Sequence, residues 1–258
     1  MDSAPATVEA TYVAPRHLAD GGDPAWITVP LHCACGWSHG NDPLMPRVLL
    51  TSPDRKALLR LEPDPDGQWW TLHHAAGKNR PAWYASFGAR TPVEILAGFT
   101  DALTDALTSP PTAGEADPCE PLRQAEWTPG NVPNGLISPD GTAYVQRFGE
   151  GSGPLFVTVA LSESRPVWQA RFGEHAPPHL IAAFTAALAD PTPVARPDGV
   201  PLPTRNPAFV TRTDRVVPAA QVAFALEDRV RRLSARLAAP SAAPRGPRRP
   251  PDSPGRVR

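Results

Sequence analysis

One segment of this chain is present twice. Residues 81–104 align without a gap to residues 166–189, and 11 of the 24 positions are identical. Both copies begin with the pattern Trp-x-Ala-x-Phe-Gly, at Trp83 and Trp168, and both continue into a stretch with helical periodicity. A repeat of about 85 residues is too long for a solenoid unit, which spans about 20 to 50 residues, so it predicts a duplicated small domain.

The first copy predicts four antiparallel strands. Apolar runs at 48–51 and 57–62 flank a Ser-Pro-Asp turn, and a third run at 69–74 is rich in β-forming residues. In residues 83–87, Trp, Ala and Phe alternate with Tyr and Ser, which predicts a fourth strand with one buried face.

A helix follows the fourth strand. Thr91 and Glu94 have the spacing of a capping box, so we place the helix start there. The second copy repeats the strands and the helix, with a poorer N-cap at 176–178. The predicted fold class is therefore α+β: two tandem ββββα units, each an antiparallel sheet plus a C-terminal helix, in a pseudo-twofold arrangement.

Proline-rich stretches and changes in charge predict the boundaries between domains. In order, we predict a disordered N-terminus at 1–11, a first unit at 12–107, a linker at 108–121, a second unit at 122–190, a Pro-rich linker at 191–216, an isolated amphipathic helix at 217–239 and a disordered Arg/Pro-rich tail at 240–258. The helix has an apolar stripe suited to docking or self-pairing, formed by Leu226, Val230, Leu233 and Leu237.

Several of these motifs together point to a known family. They are Ser52-Pro53-Asp54, Ser138-Pro139-Asp140, the two Trp-x-Ala-x-Phe-Gly strands and the opening segment from Tyr12 to Leu18. In them the chain resembles the SPDY-domain family of high-GC bacteria, which often carries its domain in tandem. The resemblance covers roughly residues 12–190 and implies the tandem architecture. Because the function of that domain is unknown, the resemblance implies no activity and no catalytic residue.

The distribution of charge, the cysteine count and the lack of targeting signals indicate the cellular compartment of the protein. Residues 1–195 hold 12 basic and 21 acidic side chains, whereas residues 196–258 hold 13 Arg and 5 acidic side chains. The three cysteines cannot build a framework of paired disulfides, and the sequence shows neither a signal peptide nor a run of 18 apolar residues. We therefore expect a cytoplasmic protein that does not engage a membrane.

No motif in the sequence predicts catalysis or a cofactor. The Ser-Pro-Asp tripeptides have no histidine nearby in sequence, so we interpret them as turns and not as nucleophile sites. The cluster from His32 to His39 contains Cys33 and Cys35, but a gap of one residue and the lack of a second pair do not fit structural zinc. We assign no catalytic residue, no metal and no cofactor.

Comparison of the two copies indicates where a binding surface would lie. The Trp, Ala and Phe positions of the repeated strand are preserved and therefore belong to the core, whereas the opposite face differs between the copies. Residues predicted on this divergent face are the candidate binding residues Trp69, His73, Tyr84, Gln169 and Arg171. The alternative is that the two sheets bury these side chains against each other.

Three classes of function fit these observations. The first is a non-enzymatic binding or adaptor protein with a protein partner, or self-association through the 217–239 helix. The second is single-stranded nucleic-acid binding by the tandem sheets and the Arg-rich tail, which the negative charge of residues 1–195 disfavours. The third is a small-ligand or enzymatic site between the two units, with His73, His74 and Arg171 as polar groups.

Overall fold

The computed structural model describes residues 6–40, 47–62, 67–78, 80–108, 117–130, 134–149, 153–163, 165–197 and 199–238. Within these ranges, the protein is α+β, with antiparallel sheets and six α-helices. None of the helices in the described ranges is both long enough and apolar enough to span a membrane.

The first unit contains the predicted elements and two more at its start. After strand β1 (Thr7–Ala14), which belongs to a separate sheet, they are in chain order α1 (Ala25–Cys33), β2 (Ser38–Gly40), β3 (Val48–Thr51), β4 (Ala57–Leu61), β5 (Trp70–His74), β6 (Trp83–Phe87) and α2 (Val93–Thr108). The hairpin of β3 and β4, the two further strands and the helix agree with the sequence prediction. The sequence did not predict α1 or β2.

The second unit repeats this order. Its elements are α3 (Glu120–Gln124), β7 (Thr128–Pro129), β8 (Gly135–Ile137), β9 (Ala143–Arg147), β10 (Leu155–Ser162), β11 (Arg165–Phe172) and α4 (Pro178–Ala189). The opening helix also recurs: the Trp37 amide donates to the Leu31 carbonyl at 3.0 Å, and the Trp127 amide donates to the Leu122 carbonyl at 3.1 Å. Each repeat is therefore an αβββββα unit, longer at its start than the predicted ββββα unit.

The two units share one ten-stranded antiparallel sheet. The strand order is β2-β3-β4-β5-β6-β11-β10-β9-β8-β7, so the units join edge to edge through β6 and β11. Ser86 lies opposite Arg171, with Ala85 opposite Phe172 and Phe87 opposite Ala170. Because Ser86 and Arg171 are equivalent positions of the repeat, this register places a pseudo-twofold axis between them. The alternative in which two sheets pack face to face is therefore wrong.

Four phenylalanines form the centre of the core at this axis. They belong to β6, β11, α2 and α4, and their rings lie 5.1 to 5.7 Å apart: Phe87, Phe99, Phe172 and Phe184. Edge-to-face pairs at such distances are favourable beyond the area that they bury. Trp83 and Trp168 flank the cluster and are both buried, as the repeat predicted.

The two long helices cross closely above this cluster at Gly98. A Cβ atom at Gly98 would lie 2.8 Å from the Ala187 Cβ atom and 2.9 Å from the Ala183 carbonyl oxygen. Only glycine lets α2 and α4 approach to this distance without displacement of a backbone.

A second sheet pairs the N-terminal strand with two strands that follow the second unit. Its strand order is β12-β1-β13, where β1 is Thr7–Ala14, β12 is Val194–Arg196 and β13 is Thr211–Pro218. We expected residues 1–11 to be disordered and residues 191–216 to be a linker that few contacts cross. The structure instead places residues 7–11 in β1, a strand that pairs with both later strands.

Arg196 anchors this second sheet to the first unit. Its guanidinium group binds both carboxylate oxygens of Glu94, at 2.6 and 2.8 Å, and donates to the Ala19 carbonyl. The predicted capping box is therefore wrong, because Glu94 pairs with Arg196. The Thr91 hydroxyl is buried without a hydrogen-bond partner among the described residues.

The C-terminal helix is divided and is not isolated. Helix α5 (Ala219–Ala223) and helix α6 (Ala225–Ala238) are separated at Phe224, whereas we predicted one helix over 217–239. Helix α6 packs on α1, and Arg229 binds the Asp101 carboxylate of α2 at 2.8 and 3.1 Å. The predicted tail at 240–258 lies outside the described residues.

Candidate functional site

The side of the ten-stranded sheet that faces away from α2 and α4 carries the divergent residues. We call this side the open face; its central residues are Thr71, His73, Tyr84, Ser86, Thr158, Gln169 and Arg171. They alternate along the strands with the buried tryptophans and phenylalanines of the core. His73 is exposed, and the Tyr84 side chain remains 46% exposed, so solvent reaches this face.

Tyr84 is held in place by both units. Its ring stacks on His73 of β5, which lies directly opposite in the register, with ring centroids 6.4 Å apart. On the other side, a Cβ atom at Gly173 would lie 2.9 Å from two ring atoms of Tyr84. A glycine at 173 therefore allows the Tyr84 ring to lie against the backbone of the second unit.

Arg171 and Gln169 form the second half of the centre. Arg171 Nη2 donates to Gln169 Oε1 at 3.2 Å, and Gln169 Nε2 donates to Thr158 Oγ1 at 3.4 Å. The buried Nε of Arg171 has no hydrogen-bond partner among the described residues. The bond to Gln169 thus orients the guanidinium group on the open face.

The structure brings four of the five candidate residues together. His73, Tyr84, Gln169 and Arg171 lie on β5, β6 and β11, around the pseudo-twofold axis. Trp69 lies just before β5 and is 38% exposed, at the end of the strand away from His73.

Sequence reasoning missed an aromatic residue on the second unit. Tyr144 lies in β9, opposite Thr158 of the open face, and its side chain is 41% exposed. The signal was available in the sequence, because Tyr144 stands between the buried Ala143 and Val145.

The charged side chains at the centre of the open face give it a small positive local charge. Strands β5, β6, β10 and β11 contain no Asp or Glu. Arg171 is the arginine at the centre, and Arg60 of β4 is paired with Glu62. The local charge thus differs from the net negative charge of residues 1–195.

Both Ser-Pro-Asp segments are structural turns. The Ser52 hydroxyl donates to Asp54 at 2.6 Å and accepts the Ala57 amide at 2.9 Å. In the second unit, Ser138 makes the same two bonds, to Asp140 and from the Ala143 amide. Each serine oxygen is therefore committed to the turn, which agrees with the structural interpretation and not with a nucleophile.

A histidine that is distant in sequence joins the second turn. His17 Nε2 lies 2.7 Å from Thr142 Oγ1 and 3.1 Å from Asp140 Oδ2, and the ring is buried. Burial alone would raise the pKa of Asp140, but the hydrogen bond and charge of His17, with the Ser138 hydroxyl and the Thr142 amide, hold that pKa well below its usual range. His17 contacts the aspartate and the threonine, while Ser138 donates to the same aspartate, so these groups do not form a nucleophile and base pair.

Side chains of the His32 to His39 cluster make structural contacts within their own segment or are buried in the core. His32 Nδ1 lies 2.8 Å from the Trp37 carbonyl oxygen, and Cys35 is buried, which raises the pKa of its thiol. No group of three or more His, Cys, Asp or Glu side chains in the described part of the chain could hold a metal ion.

The apolar stripe predicted to bind a partner faces the protein itself. Leu233 is buried, and Leu226, Val230 and Leu237 are half-buried in α6, which packs on α1. The described structure therefore uses this stripe for intramolecular docking.

Comparison with known families agrees with this duplicated architecture. Residues 51–108 and residues 137–194 each match the model of SPDY, a domain of unknown function (DUF317). Each matched segment begins just before the Ser-Pro-Asp turn; the first ends with the last residue of α2, and the second ends five residues after α4. No curated protein and no solved structure matches the chain.

Proposed function

We propose that this chain, which carries two SPDY domains, is a non-enzymatic binding protein that engages a protein partner through the open face. The observation that carries the proposal is Tyr84, an exposed aromatic residue fixed between His73 and Gly173 at the junction of the two units. Tyrosine and arginine are enriched among the residues that dominate protein interfaces, and here Arg171 lies two residues before the glycine that supports Tyr84.

The size of the open face supports a macromolecular partner. Ten strands spaced about 4.8 Å apart, with about five residues each at about 3.3 Å per residue, give a face of roughly 800 Å². This area is close to the roughly 800 Å² that each partner buries in a protein interface of standard size.

The balance of charges favours a protein over a nucleic acid. A single-stranded nucleic acid requires a groove lined with Lys and Arg along its backbone, in addition to stacking aromatics. The open face offers Tyr84 and Tyr144 for stacking, but Arg171 is its one central arginine in the described strands, and Arg60 is neutralised by Glu62. Nucleic-acid binding therefore remains the second candidate, supported by the aromatics and the absence of carboxylates in β5, β6, β10 and β11.

Site-specific photocrosslinking tests the proposal. A photoreactive phenylalanine analogue replaces Tyr84 in the full chain, and a second protein carries the analogue at Ala186, an exposed position on α4 away from the open face. We expect a discrete protein adduct from position 84 but not from position 186, and at least about a fivefold loss of that adduct when Arg171→Ala is added, the effect of an interface residue that contributes about 1 kcal/mol.

Two outcomes would contradict the proposal. Equal adducts from positions 84 and 186 would show that the open face is not selective. A nuclease-sensitive adduct at position 84 would replace the protein partner by a nucleic acid.

A further inference from the structure

The three-stranded sheet has a long free edge at β13. This strand is the last in the order β12-β1-β13, so no strand in the described part of the chain pairs with its outer side. All eight of its residues pair with β1 in one continuous register, and residues 211–216 are exposed. An exposed edge of this length presents backbone N–H and C=O groups with which a further strand can pair.

The ladder with β1 identifies which backbone groups point outward. The Ala219 amide donates to the Ala6 carbonyl at 2.8 Å, one position beyond the pair of Pro218 with Thr7. Hydrogen-bonded and non-hydrogen-bonded pairs alternate along an antiparallel ladder, so Pro218, which has no amide hydrogen, lies in a non-hydrogen-bonded pair. By the same alternation, three residues of β13 direct both their amide and carbonyl groups to the free edge: Arg212, Asp214 and Val216.

The outward groups restrict how a second copy of β13 could pair with the first. Two identical strands pair antiparallel about a twofold axis, and outward residues must lie opposite outward residues. An axis at Thr213 places Arg212 opposite Asp214 of the second copy, and the axis repeats this pair. An axis one residue to either side would place Arg212 opposite Arg212, or Asp214 opposite Asp214, and like charges directly opposite each other are destabilising.

The side chains of β13 are suited to the register with the axis at Thr213. Arg212 is exposed, and Asp214 Oδ1 accepts the Thr11 hydroxyl at 2.7 Å, which holds the carboxylate in place. Residues two apart lie on one face of a strand, so both Arg212 to Asp214 pairs would form on the same face of the joined sheet. Val216 is also on this face, and its side chain is 66% exposed.

We propose that two copies of this chain pair through β13, antiparallel and with the twofold axis at Thr213. The two three-stranded sheets then form one six-stranded sheet. The outward backbone groups supply the hydrogen bonds, and the Arg212 to Asp214 pairs fix the register. This interface is separate from the open face and does not depend on the function proposed for it.

Analytical ultracentrifugation of the full chain tests the inference. We expect a reversible monomer–dimer equilibrium, because an edge-to-edge contact buries less area than an interface of standard size. Arg212→Glu and Asp214→Arg should each weaken dimerisation about fivefold to tenfold, since each places like charges opposite each other twice. Arg205→Glu reverses an exposed charge outside β13 and should leave the dimer unchanged.

An equimolar mixture of the two β13 charge variants provides a sharper test. In a mixed pair, Glu at 212 of one chain lies opposite Arg at 214 of the other, and Asp214 lies opposite Arg212. All opposed charges are then complementary, so the mixture should dimerise about as well as the unaltered chain, although each variant alone does not.

Disulfide cross-linking locates the axis. In the proposed register the two Thr213 Cα atoms lie about 4.5 Å apart, as in a non-hydrogen-bonded pair, which is within the range of a disulfide. The two Thr211 Cα atoms would lie about 14 Å apart, because four residues separate each from the position opposite the other. Oxidation should therefore give a covalent dimer of Thr213→Cys but not of Thr211→Cys, beyond the background from the three native cysteines in the unaltered chain.

Four outcomes would overturn the inference. They are a chain that stays monomeric up to about 1 mM, a mixture of the charge variants that does not dimerise, equal cross-linking at positions 211 and 213, and loss of the dimer in Arg171→Ala, which would assign it to the open face. The cross-linking changes are uncharged and lie at exposed positions, so that test holds even if a charge variant does not fold.

Discussion

At the scale of single residues, the two Ser-Pro-Asp turns share one geometry but differ in environment. Asp54 is largely exposed. Its slight desolvation acts to raise its pKa, but hydrogen bonds from the Ser52 hydroxyl and the Lys56 amide hold that pKa below the usual value. Asp140 makes the equivalent bonds and in addition contacts the buried His17. The same tripeptide thus carries a larger structural role in the second unit.

This difference predicts unequal costs for the same substitution. Asp140→Asn should lower the free energy of unfolding by about 2 kcal/mol, because a partly buried charged acceptor of several hydrogen bonds is lost, whereas Asp54→Asn should cost less than about 1 kcal/mol. Urea denaturation of both variants at neutral pH measures the two values. Equal costs would contradict the role given to His17.

The lowered pKa of Asp140 also predicts a pH dependence. Because its pKa is lower in the folded than in the unfolded chain, the stability that it contributes is present above the unfolded value of about 3.9 and is lost as the pH falls below it. The difference in unfolding free energy between the unaltered chain and Asp140→Asn should therefore shrink from pH 7 to pH 3. Urea denaturation at both pH values checks this, and a difference that does not change would refute it.

The sequence allowed the role of the turn to be predicted but not its partner. Proline fixes one backbone dihedral and the aspartate accepts nearby amides, so the turn follows from local chemistry alone. His17 reaches Asp140 through the fold of the whole N-terminal segment, and no local pattern encodes such a contact.

At the scale of elements, the crossing of α2 and α4 depends on Gly98. A glycine inside a helix normally costs about 1 kcal/mol relative to alanine, so Gly98→Ala would be stabilising at an unconstrained position. Here the added methyl group would lie 2.8 Å from Ala187 Cβ and 2.9 Å from a backbone oxygen of α4.

We therefore expect Gly98→Ala to destabilise the protein by about 1 to 3 kcal/mol through overpacking. Thermal and urea denaturation measure the change. Ala186→Gly, at an exposed position of α4, provides the control for helix propensity and should cost about 1 kcal/mol. A rise in stability for Gly98→Ala would show that the helices are free to separate.

The elements that sequence reasoning found are those encoded by local periodicity. Strand β6 and helix α2 follow from alternation and helical spacing within a few residues. The second sheet was missed because β1 pairs with strands more than 180 residues away, among prolines that suggested a linker. The candidate residues on the open face were found because duplication preserved one face of the strand and changed the other.

At the scale of the whole molecule, Arg229 is a major anchor of helix α6 on the first unit. Arg229 binds the Asp101 carboxylate through both terminal nitrogens, donates to the Trp26 carbonyl at 2.9 Å and lies 5.4 Å from the centre of the Trp26 ring. Both members of the ion pair are largely buried. This geometry uses the planar fork of arginine, which lysine does not reproduce.

Loss of this contact should release the C-terminal helix. We expect Arg229→Ala to lower the unfolding free energy by about 2 to 3 kcal/mol, because it leaves Asp101 partly buried without its main cation. Arg229→Lys should recover only part of the loss. Arg231→Ala breaks an exposed pair with Asp228 and should cost less than about 1 kcal/mol. Hydrogen exchange of α6 in each variant shows whether the helix is released, and unchanged protection in Arg229→Ala would contradict this role.

The seam between β6 and β11 bears on how such a protein could arise. A single unit on its own would leave one of these strands with an unsatisfied backbone edge, in a segment whose other side is packed with aromatics. The register places equivalent residues opposite each other, so two identical units would satisfy that edge by pairing with themselves. The present chain has the arrangement expected when a homodimer becomes covalently fused, after which each half is free to change its surface independently of the other.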